Sequence, residues 1–295
     1  MLTVNEDQVR RYLSYEELIP ALEKALIRFS AGEICQPVRT VVPVSEHHGL
    51  FGLMPAVDSG LMGIKLVTIY EANTALPTHQ AVIQLFDSST GQPLAVMDGR
   101  LITEMRTAAV SAIATRLFAI PESRVLAILG SGVQARAHLK ALRTVGSFPE
   151  VRIWSRTPQH AKLFAEECGG KATDLHEAVR GADVVIGVSN VSAPLISGKD
   201  LEPHAFVAAV GAVGPTKREL DGAAMDACVV VESQESAPKE SGDIRDTGVP
   251  IYAELGQVVC GEVAVPKGKR VVYKSLGIAA EDLAAARLVY EAVLE

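Results

Sequence analysis

Cysteine is scarce in this 295-residue chain: four residues, Cys35, Cys168, Cys228 and Cys260, with no C-x-x-C pair among them. Disulfide frameworks belong to small secreted scaffolds, so these thiols are expected to be reduced and mostly packed. The seven histidines are scattered, and neither an H-E-x-x-H string nor a paired Cys/His grouping occurs, so no metal site is expected. Long apolar runs are missing as well; none approaches the roughly 18 residues that a membrane-spanning helix needs. No Lys/Arg-rich block is present, and 28 basic against 35 acidic residues leave a formal charge of −7. That balance argues against a nucleic-acid surface or a polybasic membrane patch. The opening stretch, MLTVNEDQVRRYLSYEEL, is too polar and acidic for a signal or transit peptide. At 48% hydrophobic and 21% charged residues, disorder is excluded too. The expectation is a soluble, globular, cytoplasmic protein of one large domain or two ordinary ones.

What is there changes texture twice along the chain. Residues 3–31 read as two short helices, with Thr3 and Ser14 as N-caps and Leu18, Leu22, Ala25, Leu26 and Phe29 forming one apolar stripe. From 36 to 97 come short β-branched runs separated by turn residues, which predicts an antiparallel meander with a hairpin at 88–92. A helix is expected from about 103 to 118. After Pro121 the runs RVLAILG, EVRIWS, ADVVIGVS, AFVAAVG, ACVVVE and RVVYKS are nearly continuous in apolar residues and mostly alternate with helical stretches. Strands that are hydrophobic on both faces belong to a parallel sheet covered on both sides, so a domain boundary is drawn near residue 118. A last helix from about 278 to 294 is expected to return to the first domain.

The sharpest local signal is RVLAILGSGVQA, with Gly130, Ser131, Gly132, Val133, Gln134 and Ala135 as its turn and helix start. A G-x-G-x-x-[GA] string is weak alone, but here it follows an apolar strand and opens a helix. Gly130 suits the tight turn, Gly132 lets the backbone approach a pyrophosphate, and Ala135 keeps helix and strand close. The helix N-terminus offers free N–H groups to the anion. An NAD enzyme usually places Asp or Glu about 20 residues beyond, at the end of the next strand. This chain has Ser155, Arg156 and Thr157 there, which favours a 2′-phosphate and hence NADPH, with NADH as the alternative.

Three cations stand out of place. Lys65 interrupts the period-2 set Leu61, Gly63, Val67 and Ile69; Arg106 shares a helix face with Ile102, Val110 and Ile113; Arg39 opens an apolar strand. Stripping an ammonium of water without a partner costs several kcal/mol, so each needs an anion nearby. Taken singly, each reads as a member of an internal ion pair. Three in the domain without the nucleotide motif suggest a pocket that clamps a small carboxylate.

The strings QPVRTVVPV, GLMP, KLVT-Y, HQA, LAVMDG, RTAAVSAIAT, LGSGVQA, VRIWSRT, REL, ESGD, AELG and KSLG-A-ED resemble the ornithine cyclodeaminase/mu-crystallin family over nearly the whole length. The resemblance implies an α/β protein: a Rossmann-type doubly wound parallel sheet, residues 119–275, and a discontinuous α+β substrate-binding and dimerisation domain, 1–118 with 276–295. It implies that Arg39, Lys65 and Arg106 bind the substrate carboxylate and that Thr107 and the glycine loop hold the pyrophosphate. Ser275, Leu276 and Gly277 are then expected near the nicotinamide. Glu254 and His79 are further candidates for orienting or protonating the imine.

The departures from the family pattern bear on the reaction. Cyclodeaminases and the family's alanine dehydrogenases carry an Asp in a G-x-D segment where this chain has Gly211-Ala212-Val213, and cyclodeaminases tend to carry an acid where it has Gly52. Losing a proton-transfer group typically costs a factor of about 10² to 10⁴, so amine oxidation with Val213 would be crippled. Reducing a cyclic imine needs only an anchored carboxylate and a presented hydride, and the mu-crystallin branch lacks the Asp too. The expectation is therefore a homodimeric NADPH-dependent ketimine reductase of cyclic imine carboxylates. The alternatives are an ornithine cyclodeaminase or amino-acid dehydrogenase, or a non-catalytic binder of NADPH and thyroid hormone.

Overall fold

The computed structural model describes residues 1–295, which fall into two compact units: Met1–Arg106 with Gly277–Glu295, and Thr107–Leu276. The first unit starts with β1 (Leu2–Val4), so Thr3 lies in a strand and does not cap a helix. Asn5 caps α1 (Glu6–Tyr12) instead, exchanging side-chain and main-chain hydrogen bonds with Gln8. Ser14 caps α2 (Tyr15–Ser30), which buries Leu18, Leu22, Ala25 and Leu26. The meander follows: β2 (Thr40–Val44), β3 (Gly49–Asp58), β4 (Leu61–Ile69), β5 (His79–Asp87) and β6 (Pro93–Asp98). These pair antiparallel, and β1 adds parallel to β6, giving the order β1-β6-β5-β4-β3-β2. Helix α3 (Arg100–Phe118) runs across the division, so the boundary falls inside a helix.

The second unit is an eight-stranded sheet whose pairings are all parallel. It begins with β7 (Val125–Leu129), α4 (Val133–Val145), β8 (Glu150–Trp154), α5 (Pro158–Cys168), β9 (Lys171–Ala172), α6 (Leu175–Val179) and β10 (Val184–Gly187). It continues with β11 (Phe206–Ala209), β12 (Cys228–Val231), α7 (Ala237–Glu240), α8 (Gly242–Thr247), β13 (Ile251–Glu254), α9 (Leu255–Val259) and β14 (Val271–Lys274). The strand order is β13-β12-β14-β11-β10-β7-β8-β9. β7 therefore lies between β8 and β10, the reversal of winding beside which α/β sheets bind ligands at the strands' carboxyl ends. The central strands β10 and β11 are buried at every position, which is why they read as unbroken apolar runs. This is a Rossmann-type fold joined to a discontinuous α+β unit.

The chain closes with α10 (Ala279–Leu294), which packs on α2 and on β3, β4 and β5 within the first unit. Alternation along the strands puts Met54, Lys65, Ile83 and Met97 in one cross-strand row, the side that faces the helices. The opposite side carries Phe51, Leu53, Ile64, Leu66, Val82 and Phe86. No helix of the chain is long and apolar enough to cross a membrane.

Candidate active site

Lys65, Arg106 and Asp282 meet within the first unit. Lys65 Nζ lies 2.7 Å from Asp282 Oδ2, and Arg106 Nε donates to Asp282 Oδ1 at 3.0 Å. Arg106 Nη1 also pairs with Glu281 Oε2 at 2.7 Å. All four side chains are buried. Arg39 Nη2 donates to the carbonyl of Gly277 at 2.5 Å, and its charge acts on both Lys65 and Asp282. Lys65 and Arg106 thus grip one carboxylate, and Arg39 is near enough for its charge to act on it. Gly277, at φ +74°, comes so close to Arg106 that a Cβ there would collide with the guanidinium.

The charges adjust one another. Burial lowers the Lys65 ammonium to about 8; Arg106 and Arg39 push the same way and Asp282 opposes them. Asp282 is penalised by burial too, yet Arg106 and Lys65 outweigh that and hold its carboxyl below the ordinary value. His79, at the start of β5, is lowered to about 4 by burial and then by Lys65 and Arg106, so its imidazole is neutral at neutral pH. A buried ion group of this kind is expensive to assemble and gains little over apolar packing, which makes a binding role more reasonable than a purely stabilising one. Gly52 shares a cross-strand position with Val67, and a Cβ there would lie 2.8 Å from Val67 Cγ1, so an acid at this place would require repacking.

The second unit holds the remaining predicted residues. Gly130 has φ +150°, and a Cβ would lie 2.9 Å from Val188 Cγ2, so only glycine fits the turn. Gly132 is the N-cap of α4, has no side-chain cap, and faces open space where a Cβ would be. Gln134 Oε1 is buried there without a hydrogen-bond partner. Uncapped N–H groups beside a glycine cradle fit a pyrophosphate. Gly130 N donates to Trp154 O at 2.8 Å, and Ser131 Oγ donates to Ser155 Oγ at 2.9 Å, which brings the end of β8 beside the loop. Thr157 N donates to Ser155 Oγ at 3.4 Å, and Arg156 is exposed next to it. Thr107 is buried in α3. Glu254 serves as the N-cap of α9 and accepts from Gln234 N at 2.9 Å.

Three buried acids of this unit carry more structure than the sequence suggested. Glu232 accepts from Tyr273 Oη at 2.7 Å, Ser275 Oγ at 3.0 Å and Leu276 N at 3.1 Å, fixing the turn after β14. Glu219 accepts from Gly211 N at 2.9 Å and Ala212 N at 3.2 Å. Asp243 accepts from Glu219 N and Leu220 N, at 2.9 and 3.0 Å. Glu281 and Asp282 were missed for a different reason. Acids in the first turn of a helix are an ordinary companion of the helix dipole, and nothing local marks these two as ion-pair partners of a lysine and an arginine far back in the chain.

The sequence matches the ornithine cyclodeaminase/mu-crystallin family across residues 1–295. The chain belongs to this family. Among its relatives is the ketimine reductase mu-crystallin of Mus musculus, 48% identical over 300 residues, which cover 98% of this chain and 96% of that protein. The Delta(1)-pyrroline-2-carboxylate reductase of Thermococcus litoralis, solved with NADH and L-proline, superposes with a TM-score of 0.94 at 33% identity, covering 100% of this chain and 98% of that one. An archaeal alanine dehydrogenase dimer with bound NAD superposes at 0.93, with 30% identity, covering 100% and 96% of the two chains.

Proposed function

We propose that this protein is an NAD(P)H-dependent ketimine reductase that reduces cyclic imine carboxylates to cyclic amino acids. The observation that carries the reading is the grip of Lys65 and Arg106 on a single carboxylate, with Arg39 near enough for its charge to act on both Lys65 and that carboxylate. Such a cluster is suited to a substrate carboxylate, which Arg binds through its planar fork and Lys as a point charge. The relatives named a ketimine reductase and a pyrroline-2-carboxylate reductase support it.

In the reaction, Arg39, Lys65 and Arg106 hold the substrate's carboxylate and fix the position of the adjacent imine carbon. Glu281 and Asp282 keep the arginine and lysine aligned in the absence of substrate. The imine enters already protonated, so the nitrogen needs no acid at Val213. Gly130, Ser131, Gly132, Val133, Gln134 and Ala135, with Thr107, would hold the pyrophosphate of a dinucleotide. Ser155, Arg156 and Thr157 would take a 2′-phosphate, favouring NADPH. Ser275, Leu276 and Gly277 would border the nicotinamide, whose chemistry when bound would be hydride donation to the imine carbon. Anchoring and charge complementarity, rather than proton transfer by a side chain, provide most of the acceleration.

The working form is a homodimer. The side of the first sheet away from the helices is apolar, and Val42, Val57 and Val82 on it are 46, 44 and 43% exposed. A face of this kind marks an association surface, and the archaeal relative is described as a dimer. The compartment is the cytoplasm, in keeping with four free thiols.

A panel of five- and six-membered cyclic imine carboxylates, assayed with NADPH and NADH in parallel, tests this function. Imine-dependent oxidation of the reduced cofactor is expected, faster with NADPH. Release of ammonia from ornithine with NAD, without turnover of any cyclic imine, would replace it with a cyclodeaminase.

A further inference from the structure

The carboxyl ends of β10, β11 and β14 converge on a charge network that the reading above does not use. Lys274, Glu219 and Asp243 are each 0% exposed. Lys274 Nζ donates to Ala212 O at 2.8 Å and lies 3.1 Å from Asp243 Oδ2 and 3.5 Å from Glu219 Oε2. Glu219 Oε2 receives the N–H groups of Gly211 and Ala212, while Oε1 is buried without a hydrogen-bond partner. That oxygen occupies space left by two glycines: a Cβ on Gly187 or on Gly211 would lie 2.7 Å from it.

Stability is a poor reason to keep such a group. Each buried ion costs several kcal/mol of desolvation, and apolar residues of similar volume often replace buried ion groups with no loss. What the network does supply is shape. The strand pairing ends at Ala209; beyond it the Gly211 N–H is shared between Gly187 O, at 3.0 Å, and Glu219, while the N–H and carbonyl of Ala212 are held by the Glu219 and Lys274 side chains. Glu219 is itself fixed, because Asp243 accepts its main-chain N–H. Burial raises the Glu219 carboxyl to about 7, with Lys274 and the two N–H donors opposing. Lys274 is the last residue of β14 and is followed by Ser275 and Leu276, the turn held by Glu232.

We propose that Glu219, buttressed by Lys274 and Asp243, is a positioning residue that sets the Gly211–Val213 backbone so that the nicotinamide presents its hydride in line. The assignment rests on the reductase reading. Its physical basis is the strand order: β10 stands beside β7, which carries the glycine loop, β11 follows beside β10, and ligands of such sheets lie outside these carboxyl ends. The dinucleotide is anchored by its phosphates at the glycine loop, so a displaced loop after β11 costs orientation and leaves affinity. A misplacement of about 1 Å costs roughly 10²-fold in rate.

The test uses the full chain with Glu219→Gln, which removes the charge, and Glu219→Asp, which keeps the charge but withdraws it from the two N–H groups. Cofactor affinity is read by NADPH fluorescence, and hydride transfer by single-turnover kinetics with NADPH and its deuterated form. Expected in both variants is a fall of about ten- to a hundredfold in the hydride-transfer rate, with Kd for NADPH within about threefold of wild type and a larger deuterium isotope effect on kcat. Wild-type hydride transfer in either variant overturns the proposal. So does a parallel loss of affinity, rate and melting temperature, or failure of both variants to fold, because each marks a purely structural network. A wild-type protein that binds NADPH but reduces no cyclic imine defeats the reductase reading instead.

Discussion

Arg156 and Lys65 show what a single residue contributes here. Arg156 stands beside Ser155 and Thr157 next to the glycine loop, and no carboxylate is present to accept from a ribose hydroxyl. Arg156→Ala is expected to raise KM for NADPH at least tenfold and to leave KM for NADH within about twofold, since one charge-assisted contact to a phosphate is worth roughly 1.5–3 kcal/mol. Steady-state kinetics with both cofactors checks it. Lys65 carries a pH signature. Its ammonium is lowered to about 8 among Asp282, Arg106, Arg39 and the neutral His79, so the charge that attracts a carboxylate is present below that pH and lost above it. The Kd of an unreactive ring carboxylate should therefore be flat from pH 6 to 7.5 and weaken towards tenfold per unit above about 8. In Lys65→Met the slope should vanish and imine turnover should be abolished, with NADPH affinity nearly intact. Calorimetric titration across pH reads the first outcome, and cofactor fluorescence reads the last.

At the scale of elements, the site depends on where α10 begins. The turn Ser275–Gly277 ends β14, and the first turn of α10 then delivers Glu281 and Asp282 to Arg106 and Lys65. Gly277 makes this geometry possible, since φ +74° disfavours other residues and a Cβ would strike Arg106. Gly277→Ala is expected to add about 1–2 kcal/mol of backbone strain and displace the guanidinium. KM for the imine carboxylate should rise at least tenfold while NADPH binding persists, measured by the same kinetics and fluorescence. The helices and strands themselves were largely legible. Ser14 and the apolar stripe after it marked α2, the apolar runs marked β7, β8, β10, β11, β12 and β14, and the 88–92 turn marked the hairpin between β5 and β6. Thr3 misled because a Thr before two acids looks like a cap, whereas Leu2–Val4 finds a parallel partner in β6. The short β9 and β13 carried too few residues for a periodic signal.

For the molecule as a whole, the exposed apolar side of the first sheet is the feature with a consequence for assembly. Val82 lies in the cross-strand row of Leu53 and Leu66, flanked by Thr40 and Asp98. Val82→Lys would place a charge beside Asp98 in the proposed contact, where desolvating the ion pair opposes association. Sedimentation equilibrium is expected to show a dimer for the wild type and a predominantly monomeric Val82→Lys protein. A wild-type monomer at micromolar concentration would remove the dimer.

Most of the longer strands and helices, the glycine loop, the absence of an acid after β8 and the family were written in the sequence, because each depends on neighbours in the chain or on long matching strings. Lys65 and Arg106 could be singled out locally, since a charge on an apolar face breaks a period that a few residues define. Their partners could not be. Glu281 and Asp282 are separated from Arg106 by 175 and 176 residues, and Lys274 from Glu219 by 55, with only ordinary local patterns at each place. Coulomb attraction acts through space and leaves no trace in local periodicity. Folding alone decides which carboxylate stands opposite which cation.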